Sequence, residues 1–335
     1  MNNARILIVR TDRIGDVVLS TPLPKTIKQK YPNSFVAVLV RDYTKDIYLN
    51  NPFVDEIIIA DEDKISFFEL AKKIRSKKFT HSLTLLPSEK INWILFLSGI
   101  KKRIGVGNKL YQFLTNTKSV YRNKYVPLRH ETEYCLDEIR KIGITSESFD
   151  EEIYLTVAEK EKSEKFKNSV CPNDEIFIGI NTTSGNSAPN LTVDEYAKLI
   201  NELKKLSKIK LTVTDLNPPK DICEIEGVVY PNEGNSLRES VINFNSLDLL
   251  ISSSTGPMHI AAGLKIKTLS PFCPLTACSP DLWGPKGNES YILLPEENYC
   301  KNKCPGDPKI CNFSGAGGIN SDIIIEKVKN IFNLK

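Results

Sequence analysis

The chain has 335 residues, of which 41% are hydrophobic and 26% charged, and its net charge is +4. It is too long for one ordinary core and suits two domains. No run of about 18 apolar residues occurs, so no spanning helix is expected, and so mild a basic excess gives no argument for a nucleic-acid partner. The opening residues "MNNARILIVR" lack the basic segment and long apolar stretch of a secretion signal, which predicts a cytoplasmic protein.

The first strand is expected at "ILIV" (6–9), followed at once by Arg10, Asp12, Arg13 and Asp16 around Gly15. A solvated turn has no need of such a concentration of charge. In a doubly wound domain this loop leaves the carboxyl edge of the sheet, where ligands bind. Only one glycine is present, so the G-x-G-x-x-G cradle of a dinucleotide site is not supported, and no P-loop occurs. Asp16 has two readings. It is the cap of a helix starting near Val17, or it is a general base that takes a proton from an acceptor hydroxyl. Arg10 and Arg13 are candidates to meet acceptor phosphates or carboxylates through charge-assisted hydrogen bonds.

Further strands are expected at "FVAVLV" (35–40), "EIIIA" (56–60), "SLTLL" (82–86) and "RIGV" (103–106). Near-continuous apolar runs of this length suit parallel strands buried on both faces. The stretches between them, such as "PLPKTIKQKY" and "KISFFELAKKIRSKK", read as covering helices. "DED" (61–63) has the form of a metal-holding Asp-x-Asp motif, but the expectation is a cap for the helix that follows. "INWILFLSGIKKR" (91–103) is expected to be a core-facing helix, with an interfacial segment on acidic lipid as the alternative. His81 and His130 are expected to be structural or exposed.

A charged stretch, "TVAEKEKSEKFKNSVCPNDE" (156–175), is expected to hold the boundary, dividing the chain into domains 1–165 and 166–335. Strands then resume at "IFIGIN" (176–181), "KIKLTVTD" (208–215), "VVYP" (228–231), "DLLISSS" (248–254), "KIKTLSPF" (265–272) and "YILLP" (291–295). Two successive α/β units predict two Rossmann-like domains facing each other across a cleft. "STGPMHIAAGL" (254–264) follows a strand with hydroxyl-rich, small residues and a Gly-Pro helix start. Ser254 or Thr255 is expected to cap that helix, and the helix start with His259 to hold a diphosphate. "GAGG" (315–318) follows no strand and reads as a loop. Cys135, Cys171, Cys223, Cys273 and Cys278 are scattered and read as small buried hydrophobes. Cys300, Cys304 and Cys311 form the one cluster, but it lacks the fourth ligand of a structural zinc site, so reduced thiols are expected.

"ILIVRTDRIGDVVLSTPLPKTIKQKYP" (6–32) resembles the N-terminal signature of the family 9 glycosyltransferases, the heptosyltransferases of lipopolysaccharide core assembly. "NPFVDEIII", "KKRIGV", "HETEYCLDEIRKIGI", "STGPMHIAAGL" and "WGP" (283–285) are similar to that family in the family's order. The resemblance implies a GT-B fold and inverting, metal-independent transfer from a nucleotide-diphospho-sugar, with no cofactor. ADP-heptose is the implied donor, and the implied acceptor is lipid-linked or an oligosaccharide, with peripheral contact at the inner membrane as an option. It assigns Asp16 as the base and places Arg103 toward the acceptor. The donor-binding residues it implies are Thr182, Thr183, Ser184, Gly185, Ser254, Thr255, Gly256, Pro257, Met258 and His259. The chain departs from the family pattern at Ser254, where many members have aspartate, and at Pro189 and Asn190, where a lysine is usual. Ser187 and Asn190 are further polar candidates there. No ribose-binding acidic residue is assigned within "TDLNPPKD" (214–221). The alternatives are a transferase using another nucleotide sugar, or a non-catalytic nucleotide-sugar or glycolipid binder.

Overall fold

The computed structural model describes residues 3–61, 63–122, 125–145 and 149–334. The chain forms two compact units, Met1–Tyr154 and Leu155–Lys335. In chain order the first contains β1 (Arg5–Val9), α1 (Ile14–Val18), α2 (Pro22–Lys30), β2 (Phe35–Val40), β3 (Glu56–Ile59) and α3 (Phe67–Ser76). It continues with β4 (His81–Thr84), α4 (Glu89–Leu97), β5 (Lys102–Val106), α5 (Leu110–Leu114), β6 (Lys118–Val120) and α6 (Glu131–Arg140). The strands form one parallel sheet in the order β3-β2-β1-β4-β5-β6.

The second unit opens with α7 (Val157–Val170) and β7 (Ile176–Asn181), then α8 (Val193–Leu203), β8 (Ile209–Val213), α9 (Lys220–Cys223), α10 (Leu237–Phe244) and β9 (Leu249–Ser252). After these come α11 (Gly256–Gly263), β10 (Lys267–Pro271), α12 (Pro280–Trp283), β11 (Ser290–Leu293), α13 (Tyr299–Asn302) and α14 (Ser321–Phe332). Its parallel sheet has the order β11-β10-β9-β7-β8.

The apolar runs are strands because both their faces are covered. Leu7, Val9, Ala37, Leu39 and Ile58 meet Leu70, Ile74, Ile94 and Leu95 from α3 and α4 in one core. Ile178, Ile180, Leu211, Val213 and Ile251 meet Tyr196, Leu199, Ile324 and Val328 from α8 and α14 in the other. Two expectations change. "VVYP" is no strand: only Val229 bridges to Thr212, and Pro231 offers no N–H to extend the ladder. The charged stretch near 165 is no linker but helix α7 of the second unit, and the division comes earlier, after Tyr154. Thr156 and Glu159 form a capping box that starts this helix, and Arg238 of α10 grips Glu159 with two bonds of 2.7 Å.

Both sheets reverse their winding at one point. In the first unit β1 and β4 flank it, and in the second β7 and β9 do. Loops leaving the carboxyl ends of strands at such a switch point are where open α/β sheets bind ligands.

Candidate functional site

At the first switch point the loop after β1 enters α1, whose first turn contains Asp16. The expected cap is not found: the helix starts at Ile14, Arg13 occupies the cap position, and no side chain caps it. Asp16 instead accepts a 2.7 Å bond from the Arg10 guanidinium and keeps about one fifth of its side chain exposed. Arg10, expected at the acceptor, is buried at 3% exposure. Its Nη1 donates to Glu131 Oε1 at 3.3 Å and to the Leu85 carbonyl at 3.4 Å. Asp12 lies 2.9 Å from Arg10 Nε, a charge contact whose N–H does not point at the oxygen. Burial acts to lower the Arg10 pKa, but Cys135, Asp12, Glu131 and Asp16 around it outweigh that and raise it. The same burial pushes the Asp12 carboxyl up to about 6 against the pull of Arg10.

Glu131, in the first turn of α6, also takes two bonds from Arg122 Nη1, at 2.9 and 3.0 Å. The loop charges that invited a ligand reading therefore divide in two. Arg10 is the buried post that orients Asp16, with Glu131 and Arg122 behind it. Arg13 is exposed and available to a ligand.

Arg103 is a second correction. It is buried at 7% exposure, donates to the Ile100 and Thr115 carbonyls and stacks over Phe96 with 5.1 Å to the ring centroid. It ties the start of β5 to the end of α5 and does not reach out to an acceptor. Arg103→Lys should therefore lower stability by about 1–3 kcal/mol, as buried carbonyls lose donors. Urea unfolding measures this, and a rise in acceptor KM at unchanged stability would restore the binding role.

"DED" divides as well. Asp61 accepts from Arg41 Nε at 3.1 Å and the Asp42 N–H at 2.7 Å, while Ser66 caps α3 in its place; Glu62 lies outside the described residues. His81 is buried, and His130 caps α6 through Nδ1 to the Thr132 N–H. Helix α4 buries Ile91, Ile94 and Leu95 as expected, but leaves Phe96 and Leu97 each 40% exposed.

At the second switch point the loops after β7 and β9 are stitched together. Asp215, just beyond β8, accepts from the Thr182 and Thr183 N–H groups at 2.7 and 2.8 Å and from both hydroxyls at 3.1 and 2.5 Å. Those hydroxyls, expected to meet a phosphate, are thus engaged by Asp215, Thr182 in the interior and Thr183 at the surface. Burial raises the Asp215 carboxyl above its ordinary range against these four bonds. Asn190 is a hub. Its Nδ2 donates to the Thr182 carbonyl, and its Oδ1 accepts from Tyr196 and Ser253 hydroxyls, each at 2.7 Å. At the surface this loop leaves Thr183 and the Ser184–Ser187 turn, with Gly185 and Asn186 in the left-handed region.

Helix α11 begins with Gly256, then Pro257. Neither Ser254 nor Thr255 caps it with a side chain, because Thr255 Oγ1 turns back to Ser252 Oγ at 3.2 Å and the Ser253 carbonyl at 3.3 Å. No side chain closes the start of this helix, which leaves backbone N–H groups of its first turn for an anion. His259 stands in that turn, 4% exposed. Met258 is fully buried in the core, so only its backbone can serve a ligand. Ser254, half-buried, remains at the rim.

The cysteine cluster is larger than the sequence showed. Cys273 and Cys278 titrate as neighbours, and Cys273 with Cys304 is near enough to act on Cys300 and Cys311. Burial first, then the neighbouring thiols, pushes Cys300 up to about 11. Among the described residues no three His, Cys, Asp or Glu side chains are arranged to hold a metal ion.

Known proteins place this architecture. The chain is 26% identical over 308 residues to a Haemophilus influenzae protein named as a candidate glycosyltransferase, covering 84% of this chain and 86% of that one. It is 21% identical over 320 residues to lipopolysaccharide heptosyltransferase 2 of Escherichia coli, covering 89% and 90%. A solved family 9 glycosyltransferase from Veillonella parvula superposes with a TM-score of 0.80 at 18% identity, covering 99% of each chain. No family model matches. The chain is thus a relative of glycosyltransferases along most of its length and has their two-sheet α/β fold.

Proposed function

We propose that this chain, a glycosyltransferase with family 9 architecture, moves heptose from an ADP-activated donor onto a lipopolysaccharide core acceptor, with inversion at the anomeric carbon. The observation that carries this reading is Asp16. It is a partly exposed carboxylate at the sheet's carboxyl edge, held at 2.7 Å by a buried arginine that Glu131 and the Leu85 carbonyl fix from behind. In the proposed step the acceptor oxygen attacks the anomeric carbon, the bond from that carbon to the phosphate oxygen breaks, and Asp16 takes the hydroxyl proton. A nucleoside diphosphate leaves with the electron pair.

The second unit serves the leaving group. Backbone N–H groups at the start of α11 and the Ser184–Ser187 turn are fixed dipoles for its negative charge, with His259 in the same helical turn. Ser254 and the absence of a lysine at Pro189 and Asn190 make the donor sugar the least constrained part of the reading. Arg13 is the cation proposed to meet acceptor phosphates. The acceptor is lipid-linked or glycan in this reading, and the exposed Phe96 and Leu97 suit peripheral contact with a membrane. No helix among the described residues is long and apolar enough to cross one.

The deciding experiment is a transfer assay with ADP-, UDP- and GDP-sugars, run beside thermal shift, since a bound donor raises stability with its concentration. ADP-heptose is expected to be both bound and consumed. Binding without turnover of any donor would favour the non-catalytic alternative. Turnover is further expected to survive excess EDTA within about twofold, because backbone dipoles do the charge stabilisation. Loss of activity on chelation, restored by Mg²⁺ or Mn²⁺, would overturn the metal-free reading.

A further inference from the structure

A cavity of about 850 Å³ opens at the amino-terminal edge of the first unit's sheet, opposite the edge that holds Asp16. Three strand entries build it: Asn3 and Ala4 before β1, Lys78 to His81 into β4, and Ser98 to Lys102 into β5, with Arg75 from the end of α3. Four of the lining residues, Arg75, Lys78, Lys101 and Lys102, are cationic, and none is acidic. Arg75 donates to the Leu97 carbonyl at 2.9 Å, and none of the four has an ion-pair partner among the described residues.

The floor is unusual as well. His81 is 4% exposed, its Nδ1 is 2.8 Å from the Thr80 hydroxyl, and its Nε2 is buried with no hydrogen-bond partner. A buried polar atom without a partner carries a desolvation cost, and four like charges around one cavity repel each other. An anion relieves that repulsion, and a phosphate that keeps a proton can donate it to Nε2. Phosphate suits the geometry better than a single carboxylate, because it offers several oxygens and up to two charges to cations on different sides. The cavity is also far larger than a phosphate ion, so it has room for what the phosphate is attached to. Burial, with the charge on Lys102, pulls the His81 pKa down to about 4, which leaves a neutral ring at pH 7.

We infer that this cavity is a second binding site, for a phosphate mono- or diester, separate from the chemistry at Asp16. The inference does not rest on the transferase reading. Two sources supply such a group: a soluble phosphorylated metabolite, or the headgroup of an acidic phospholipid, for which the exposed Leu97 follows the carbonyl contact of Arg75.

The test uses the three histidines of the intact chain as reporters, each assigned by single substitution. Inorganic phosphate is titrated while the ring nitrogens are followed by NMR, so His81 reports this cavity and His259 reports the helix start in the other unit. Co-sedimentation with phosphatidylglycerol and phosphatidylcholine vesicles is the second arm. The wild type is expected to show a saturable His81 shift, weakened about tenfold or more in Lys78→Gln/Lys101→Gln, as charge-assisted bonds are removed. Both lysines are exposed, so the variant is expected to melt as the wild type does. Pelleting with phosphatidylglycerol alone, lost in the same variant, identifies the headgroup; a His81 response without pelleting identifies a soluble ligand. An unmoved His81 signal with no pelleting, or a response the double variant leaves unchanged, would overturn the site.

Discussion

Asp16→Asn is expected to fold, bind donor and lose sugar transfer by roughly 10² to 10⁴. The amide has the size of the carboxylate and can still accept a hydrogen bond from Arg10, so α1 should persist. Nothing in the helix depends on Asp16 as a cap, because the cap position belongs to Arg13 and no side chain fills it. Arg10 keeps Glu131 and Asp12 after the change, and its charge is not left unpaired in the interior. Stability is therefore expected to fall by only about 0.5–1.5 kcal/mol, the net worth of an ordinary hydrogen bond. An amide cannot take the acceptor proton, and that alone should slow the reaction. Single-turnover rates, urea unfolding and donor titration separate the three effects. A variant that transfers within a few-fold of wild type would remove Asp16 from the role of base.

Asp215→Ala should have the largest effect on the second unit. The carboxylate is the common acceptor for two backbone N–H groups and two hydroxyls of Thr182 and Thr183. Alanine leaves the two buried Thr182 donors without partners at about 1–3 kcal/mol each, so a total loss of about 3–5 kcal/mol is expected. The loop also bears Asn190, whose amide ties it to Ser253 beside the start of α11. Its release should weaken nucleoside diphosphate binding by about tenfold or more, read by calorimetry. If the alanine variant does not fold, Asp215→Asn keeps an acceptor oxygen and is expected to lie between the two. Unfolding and affinity both indistinguishable from wild type would show that the loop does not depend on this carboxylate.

Much of this protein was legible locally. The strands stand out because a parallel strand covered on both faces must be apolar at consecutive positions, as "FVAVLV" and "IFIGIN" are. β6, with only Lys118, Ser119 and Val120, has no such signature and was missed. The Gly-Pro start of α11 was readable because proline suits the first turn of a helix, where an N–H would be unpaired. The boundary was misplaced because a highly charged stretch looks like a linker. The Thr156–Glu159 capping box, a pattern of spacing and not of polarity, marks it as a helix start.

The charged residues divide differently. That Arg10, Asp16, Arg103 and Thr182 matter follows from the sequence, from loop position, or from their place in motifs, whereas nothing local singles out Asp215. What each one touches does not. Arg10 meets Glu131 across 121 positions and Thr182 meets Asp215 across 33, distances over which no local pattern reports. The same holds for Cys273 and Cys278, which read as isolated until the loop after β10 folds back beside Cys300. Periodicity and turn chemistry act through neighbours a few residues apart, so the chain by itself determined its strands, most of its helices and the loops at the sheets' carboxyl edges. A long polar side chain is free to bond wherever the fold delivers a partner. Only the tertiary structure decided that Arg10 and Arg103 are buried posts, and that Asp16 and Arg13 keep exposed surface.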